Sequence, residues 1–350
     1  MVILYFVMPN TRLDASPVLA GLLGIDWLGF IFHVAGFVLL CCALIFSGSI
    51  WPWSSSSAIV AWVFVGVIYI AYVLQQYFNI LVPNRQRIFP GDLYKSRVVA
   101  LISASTWVAG CTYGTTLYYT PLFFAFTRGF SPIDAAVRLL PYILTFIVFT
   151  IISSILLPVI RLYAPFYIFG GALVLIGAAL QTTIDPNTSP SAVMGHTALI
   201  GSGVGCLWQT GVAVITQAVP PARKLDASAL FIMMQLGGTA LTLALAGCVF
   251  QNVGFNFLKD VLGGSDFNDD DIRQALAGVD SRIWDEADAE VMELAVEAVT
   301  KVIARLFYIV LAAGAMAFLC GCLMPWKKLE FGKTQQKGNN TEVEVEHEDR

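Results

Sequence analysis

Charge is what this sequence has least of. Only 13% of its 350 residues are Asp, Glu, Lys or Arg, against 57% hydrophobic. A soluble domain carries about 25% charged residues, so this chain is poorly equipped to face water over most of its surface. Histidine is scarcer still, with His33, His196 and His347 alone and no H-E-x-x-H spacing among them. No G-x-S-x-G turn and no G-x-x-x-x-G-K-[ST] phosphate loop occurs, so neither a nucleophile elbow nor an ATP-hydrolysing module is encoded. The chain reads as not an enzyme. A net charge of -4 supplies no basic footprint, so no nucleic-acid partner is expected.

Other absences narrow the class further. No run of short alternating strands suits a membrane barrel, which leaves helices to satisfy the backbone in lipid. Met1 to Met8 is apolar but has no basic region or small-residue cleavage site, so no cleavable signal peptide is expected. Cys41, Cys42, Cys111, Cys206, Cys248, Cys320 and Cys322 all lie in apolar blocks. They read as small buried hydrophobes rather than a disulfide framework. Cys320 and Cys322 lack His or acidic neighbours, so no metal site is expected.

What the sequence has is apolar blocks of membrane-spanning length, about 20 residues each. Eight spans are expected, near 26–47, 57–80, 99–120, 136–158, 165–182, 194–217, 228–250 and 303–325. Turn residues separate them, as at Pro83-Asn84, Pro90-Gly91, Pro186-Asn187 and Pro220-Pro221. Residues 1–8 read as the end of a further, partial span, since eight helical residues reach only about 12 Å. The expected order is a 9–25 loop, a helix pair over 26–80, a loop at 81–98 and five spans over 99–250. An acidic outer loop at 251–302, a last span at 303–325 and a disordered tail at 326–350 complete it. From Ile272 onward the long loop has amphipathic helical spacing.

Basic residues fall in alternate short loops. Arg85, Arg87, Lys95 and Arg97 precede the third span, Arg161 follows the fourth, and Arg223 and Lys224 follow the sixth. Lys327, Lys328, Lys333 and Lys337 follow the last. That side is expected to be cytoplasmic, C-terminus included. Asn187 then lies outside, in an N-x-[ST] sequon, and is a possible glycosylation site, although Pro190 and the short loop disfavour it.

Within the spans the informative residues are small or polar. Gly201, Gly205, Gly237 and Gly238 can bring helix backbones close, either for packing alone or to let helices rock. Gln209 and Gln235 should point into the bundle, as helix-to-helix bonds or as lining of a substrate path. Arg138 with Asp134 reads as a cap with a snorkelling arginine, or as a gate. Asp26, Asp134 and Asp226 sit at span starts, where a helix N-terminus favours acid. No carboxylate lies deep inside a span.

Several stretches resemble one family. Asp26-Trp27-Leu28-Gly29-Phe30 and Trp51-Pro52-Trp53-Ser54-Ser55 look like the extra helix pair of fourteen-span fungal drug–proton antiporters of the major facilitator superfamily. Tyr118-Tyr119-Thr120-Pro121-Leu122, Arg128-Gly129-Phe130-Ser131, Asp185-Pro186-Asn187-Thr188-Ser189 and Gln235-Leu236-Gly237-Gly238 are similar to the same branch. The resemblance implies an all-α membrane bundle: a carboxy-terminal six-helix half, two linker helices and part of one preceding span, with the amino-terminal half missing. It implies a plasma-membrane efflux carrier driven by a proton gradient without a cofactor, exporting small amphipathic drugs, toxins or secondary metabolites. Tyr118, Gln209 and Gln235 are then candidates for the substrate path, and the missing half is an expected partner alongside the bilayer. The alternative is a truncated, non-transporting membrane fragment with a structural or regulatory role.

Overall fold

The computed structural model describes residues 26–78, 80, 88–262, 267–278, 281, 283–284 and 288–329. Expectations for residues 1–25, for Arg85 and Arg87, and for the tail from residue 330 fall outside them. Every regular element described is helical, apart from one isolated bridge between Ser47 and Trp51. Among the described residues, eight helices or helix pairs are long and apolar enough to cross a membrane, the number of full spans expected. The chain is a multi-pass, all-α membrane protein of the expected class.

The first two helices, α1 (Trp27–Phe46) and α2 (Ser56–Phe78), form a hairpin. Its outward faces carry Ile31, Val38, Val63 and Val67, all more than 40% exposed, as lipid contact requires. Next come α3 (Arg97–Arg128), α4 (Pro132–Val137), α5 (Leu140–Ile160) and α6 (Ala164–Gln181). Then follow α7 (Pro190–Trp208), α8 (Thr210–Gln217), α9 (Lys224–Val261), α10 (Asp269–Ala277) and α11 (Ala289–Leu323). Helix α3 is the hub, packing on α9, α11 and α7. Helix α6 packs on α11 and α7, α5 packs on α7, and the hairpin joins through α1 against α9.

Three helices run past their expected ends. Helix α3 continues through Pro121 to Arg128 instead of stopping near residue 120. A membrane helix tolerates such a proline when neighbours satisfy the freed groups. Its true stop is Gly129, whose left-handed φ of 61° lets its N–H reach back to Ala125. Helix α9 runs 11 residues beyond the expected 250, and α11 starts 14 before the expected 303.

The segment 251–302 is therefore not an open loop. Both its ends are helical, and α10 lies between them, opened by a capping box of Asn268 and Asp271. Ile272, Ala275, Leu276 and Ile283 are buried in one hydrophobic core with Phe250 and Leu258. Asp269 and Asp270 on α10 are exposed. Trp284 donates to the Ala275 carbonyl at 3.1 Å, and Lys259 pairs with Asp269 at 2.8 Å.

The basic loops gather at one end of the bundle. Arg97 donates to the Leu323 carbonyl at 2.9 Å, and the Leu329 N–H reaches the Arg161 carbonyl at 2.8 Å. Arg223 grips Asp92 with two bonds of 2.8 and 3.2 Å and also bonds Asp226. At the opposite end Asn252 accepts from the Trp53 indole at 3.0 Å and donates to the Ser47 carbonyl at 3.2 Å. Arg273 donates to the Gly48 and Ser49 carbonyls, latching the hairpin turn.

Candidate substrate-contact site

The site begins with glycines. A Cβ at Gly201 would strike the Tyr142 carbonyl, and one at Gly205 the Phe146 carbonyl. Helix α7 thus lies directly on the α5 backbone. Between those positions Gly203 faces α6, against the Gly170 carbonyl. Gly238 meets the Trp107 backbone and Gly237 the Trp107 ring, so α3 and α9 cross closely too. Small residues permit such contacts, which rest on dispersion rather than on hydrophobic transfer.

Close packing holds an interruption in place. The span over residues 190–217 has a one-residue break in its helical pattern at Gln209, whose φ of -105° and ψ of -17° stay in the right-handed helical region. A break in lipid leaves carbonyls without helical partners. Here Thr210 Oγ1 donates to the Cys206 carbonyl at 2.7 Å, and Gln235 Nε2 donates to the Trp208 carbonyl at 3.2 Å. Gln235 is buried and spans from α9 to the break; Gln209 is exposed.

Rings gather at the same point. The Trp208 centroid lies 4.7 Å from Tyr113 and 5.6 Å from Phe146, the latter edge-on. Tyr113 and Phe146 are 5.6 Å apart, and Tyr142 lies 6.4 Å behind Tyr113. All three of Tyr113, Phe146 and Trp208 are half-buried. Three helices thus bring aromatic rings into one half-buried cluster, next in sequence to the exposed Gln209. Such a cluster suits a flat amphipathic molecule, with ring contacts worth about 0.5–1.5 kcal/mol each.

Not every expected site residue joins it. Tyr118 is 58% exposed and packs edge-on against Tyr119 at 5.0 Å. Five residues along a helix turn it about 140° from Tyr113, so it faces away from the break. Gln235 makes the helix-to-helix bond to the Trp208 carbonyl described above. Around Arg138 and Asp134 the bonds are local: Ser131, the N-cap of α4, accepts from the Asp134 N–H at 3.2 Å, and Arg138 donates to the Asp134 carbonyl at 3.0 Å. The Arg138 guanidinium lies 3.7 Å from the Phe130 centroid. Asn187 is exposed in a turn ordered by Asp185, which accepts from the Asn187 N–H at 2.9 Å and from Thr188 Oγ1 at 2.8 Å.

Two features were not foreseen. Tyr113 and Phe146 lie on different helices with no spacing that pairs them in sequence. Asp26 does cap α1, accepting from the Gly29 N–H at 2.7 Å, but it is also buried. The amides of Gln75 and Gln76 each donate to it at 3.1 Å. The cysteines are mixed: Cys111, Cys206 and Cys320 are buried, whereas Cys322 is exposed.

No family model matches the chain. The "Efflux pump patC" of Aspergillus clavatus is 29% identical over 304 residues, 87% of this chain and 55% of that protein. The "Efflux pump alnA" of Emericella nidulans is 31% identical over 308 residues, again 87% and 55%. The chain is a relative of fungal MFS-type efflux transporters. A third such protein, the "Phomenoic acid biosynthesis cluster MFS-type transporter" of Leptosphaeria maculans, is 30% identical over 313 residues, 84% of this chain and 49% of that protein. The chain spans about half the length of the curated MFS-type relatives it matches.

Proposed function

We propose that this chain is the aromatic, substrate-contacting portion of a secondary active efflux transporter. Its cargo is a drug, toxin or secondary metabolite of amphipathic character, and its energy source is the proton gradient. The observation that carries the reading is the interrupted span at Gln209 with Tyr113, Phe146 and Trp208 around it. Transporters place substrate where helices are broken near mid-membrane. The efflux-pump names of the relatives support export as the direction.

The partners follow from the same reading: the bilayer, a small amphipathic molecule, and an amino-terminal half of the kind the longer relatives carry. The gathering of Arg97, Arg161 and Arg223 at one end supports a plasma-membrane orientation with that end and the C-terminus cytoplasmic. For proton coupling, this portion offers Asp26 and His33, both on the hairpin face that meets Gln75 and Tyr72.

The test is accumulation of a fluorescent amphiphile in cells making this chain joined to the amino-terminal half of an efflux-pump relative. Lower accumulation, abolished by a protonophore, supports proton-driven export. Accumulation equal to that of control cells across a broad compound panel would instead support a non-transporting membrane fragment. The roughly half-length match to its relatives is the observation that keeps this second reading in view.

A further inference from the structure

A separate cavity lies between the hairpin and the bundle. Its volume is about 210 Å³, with His33, Tyr69, Tyr72, Trp107, Met234 and Gly237 among its walls. It is not the aromatic cluster at the break. Gly237 is two residues from Gln235, which turns it about 200° around α9. Trp107 is six residues from Tyr113, about 120° away around α3.

The walls have a definite chemistry. Phe37 and Phe89 bring the rings to six, counting His33, and Met233, Met234 and Leu241 complete an apolar lining. Methionines favour ring contacts and adapt to irregular shapes. Among the described residues, the Tyr72 hydroxyl is buried without a hydrogen-bond partner. A buried hydroxyl in that condition is destabilising unless something supplies an acceptor. His33 stands beside it, its ring 5.7 Å from that of Tyr72. A dry cavity of about 150 Å³ holds benzene, so this one has room for one or two fused rings.

We infer that this cavity is a binding site for a small planar aromatic molecule carrying one oxygen acceptor, such as a phenol or naphthol, with the Tyr72 hydroxyl donating to that oxygen. The glycine at position 237 leaves the space. A Cβ there would come within 3.1 Å of the Trp107 ring, so a larger side chain fills the cavity. The site lies where the two-helix hairpin faces the bundle and stands whether or not the chain transports.

The experiment is photolabelling of the purified full chain in nanodiscs with a trifluoromethyldiazirinyl phenol, and mapping of adducts by mass spectrometry. Saturable adducts on Trp107, Met233 or Met234, competed by excess 2-naphthol, are expected. Tyr72→Phe keeps the shape and removes the donor, and should lower the saturable labelling roughly three- to tenfold. Gly237→Leu should abolish it, with helix content and elution volume as folding controls. Three results would overturn the inference: labelling unchanged in Tyr72→Phe, adducts spread without saturation over the exposed spans, or competition by oleate but not by 2-naphthol. The last would assign the cavity to a lipid chain.

Discussion

Gln235 joins two helices through one bond, and its removal has a definite consequence. Without its amide, the Trp208 carbonyl at the break loses that donor. Gln235→Leu should destabilise the protein by about 1–3 kcal/mol, read as a lowered melting temperature in detergent. An unchanged melting temperature would mean that the break is held by Thr210 and packing alone. Gly205 makes a second residue-level case. Valine there must displace the Phe146 carbonyl, and a loss of about 1–3 kcal/mol is expected. The same change at Gly195, where a Cβ meets nothing, should be tolerated. The roles of Gly201, Gly205, Gly237 and Gly238 as close-contact residues were legible because a side chain of one hydrogen admits few other uses. The role of Gln235 was not, since an amide in a span can bond a helix or a ligand and only geometry distinguishes them.

At the scale of elements, the turn between α6 and α7 is a self-contained unit. Asp185 is held below its ordinary carboxylate value, first by the Thr188 hydroxyl and then by backbone N–H groups and Arg128. A group depressed in the folded state contributes stability above its unfolded pKa and loses it as pH falls through the folded one. Protection of residues 183–189 from a nonspecific acid protease should therefore fall away only below the usual carboxylate range. Asp185→Asn should expose the turn at neutral pH as well. The same turn bears on the sequon at Asn187. Ser189 is already the cap of α7, accepting from the Ala192 N–H at 3.3 Å, and Asn187 is tied back to Asp185. Glycosidase treatment of the expressed protein should leave its mobility unchanged; a shift removed by Asn187→Gln would show the sequon in use.

Element ends were the least legible part of the fold. The apolar blocks marked eight spans because lipid imposes a length, but nothing in hydropathy marks where a helix continues into water. Helix α9 goes on through Gln251 and Asn252 because Asn252 has the hairpin turn to bind. Helix α11 begins early because Ala295, Val299 and Val302 pack into the hydrophobic core. These are tertiary reasons, and a single-chain pattern does not contain them.

On the scale of the whole molecule, the bundle has an asymmetric surface. Helix α5 packs chiefly on α7 and leaves Leu144, Ile151, Ile155 and Val159 exposed. The aromatic cluster at the break takes Phe146 from the same helix. The class of the protein was legible from composition, because a chain this short of charge has few ways to be stable. Of the candidate residues, Gln209 is next in sequence to Trp208; Tyr113 and Phe146 come to that ring from helices α3 and α5 through packing.

The most direct test of the account is therefore transport itself, resolved by residue. In cells exporting a fluorescent amphiphile through this chain joined to a relative's amino-terminal half, Trp208→Ala and Gln209→Ala should each weaken export. A loss of one ring contact predicts roughly a two- to tenfold rise in the half-saturating concentration for Trp208→Ala. Surface protein should stay constant, and Val159→Ala on the open face of α5 should have no effect. Export by Trp208→Ala and Gln209→Ala at unchanged half-saturation would contradict the account, because the break would then play no part in substrate contact.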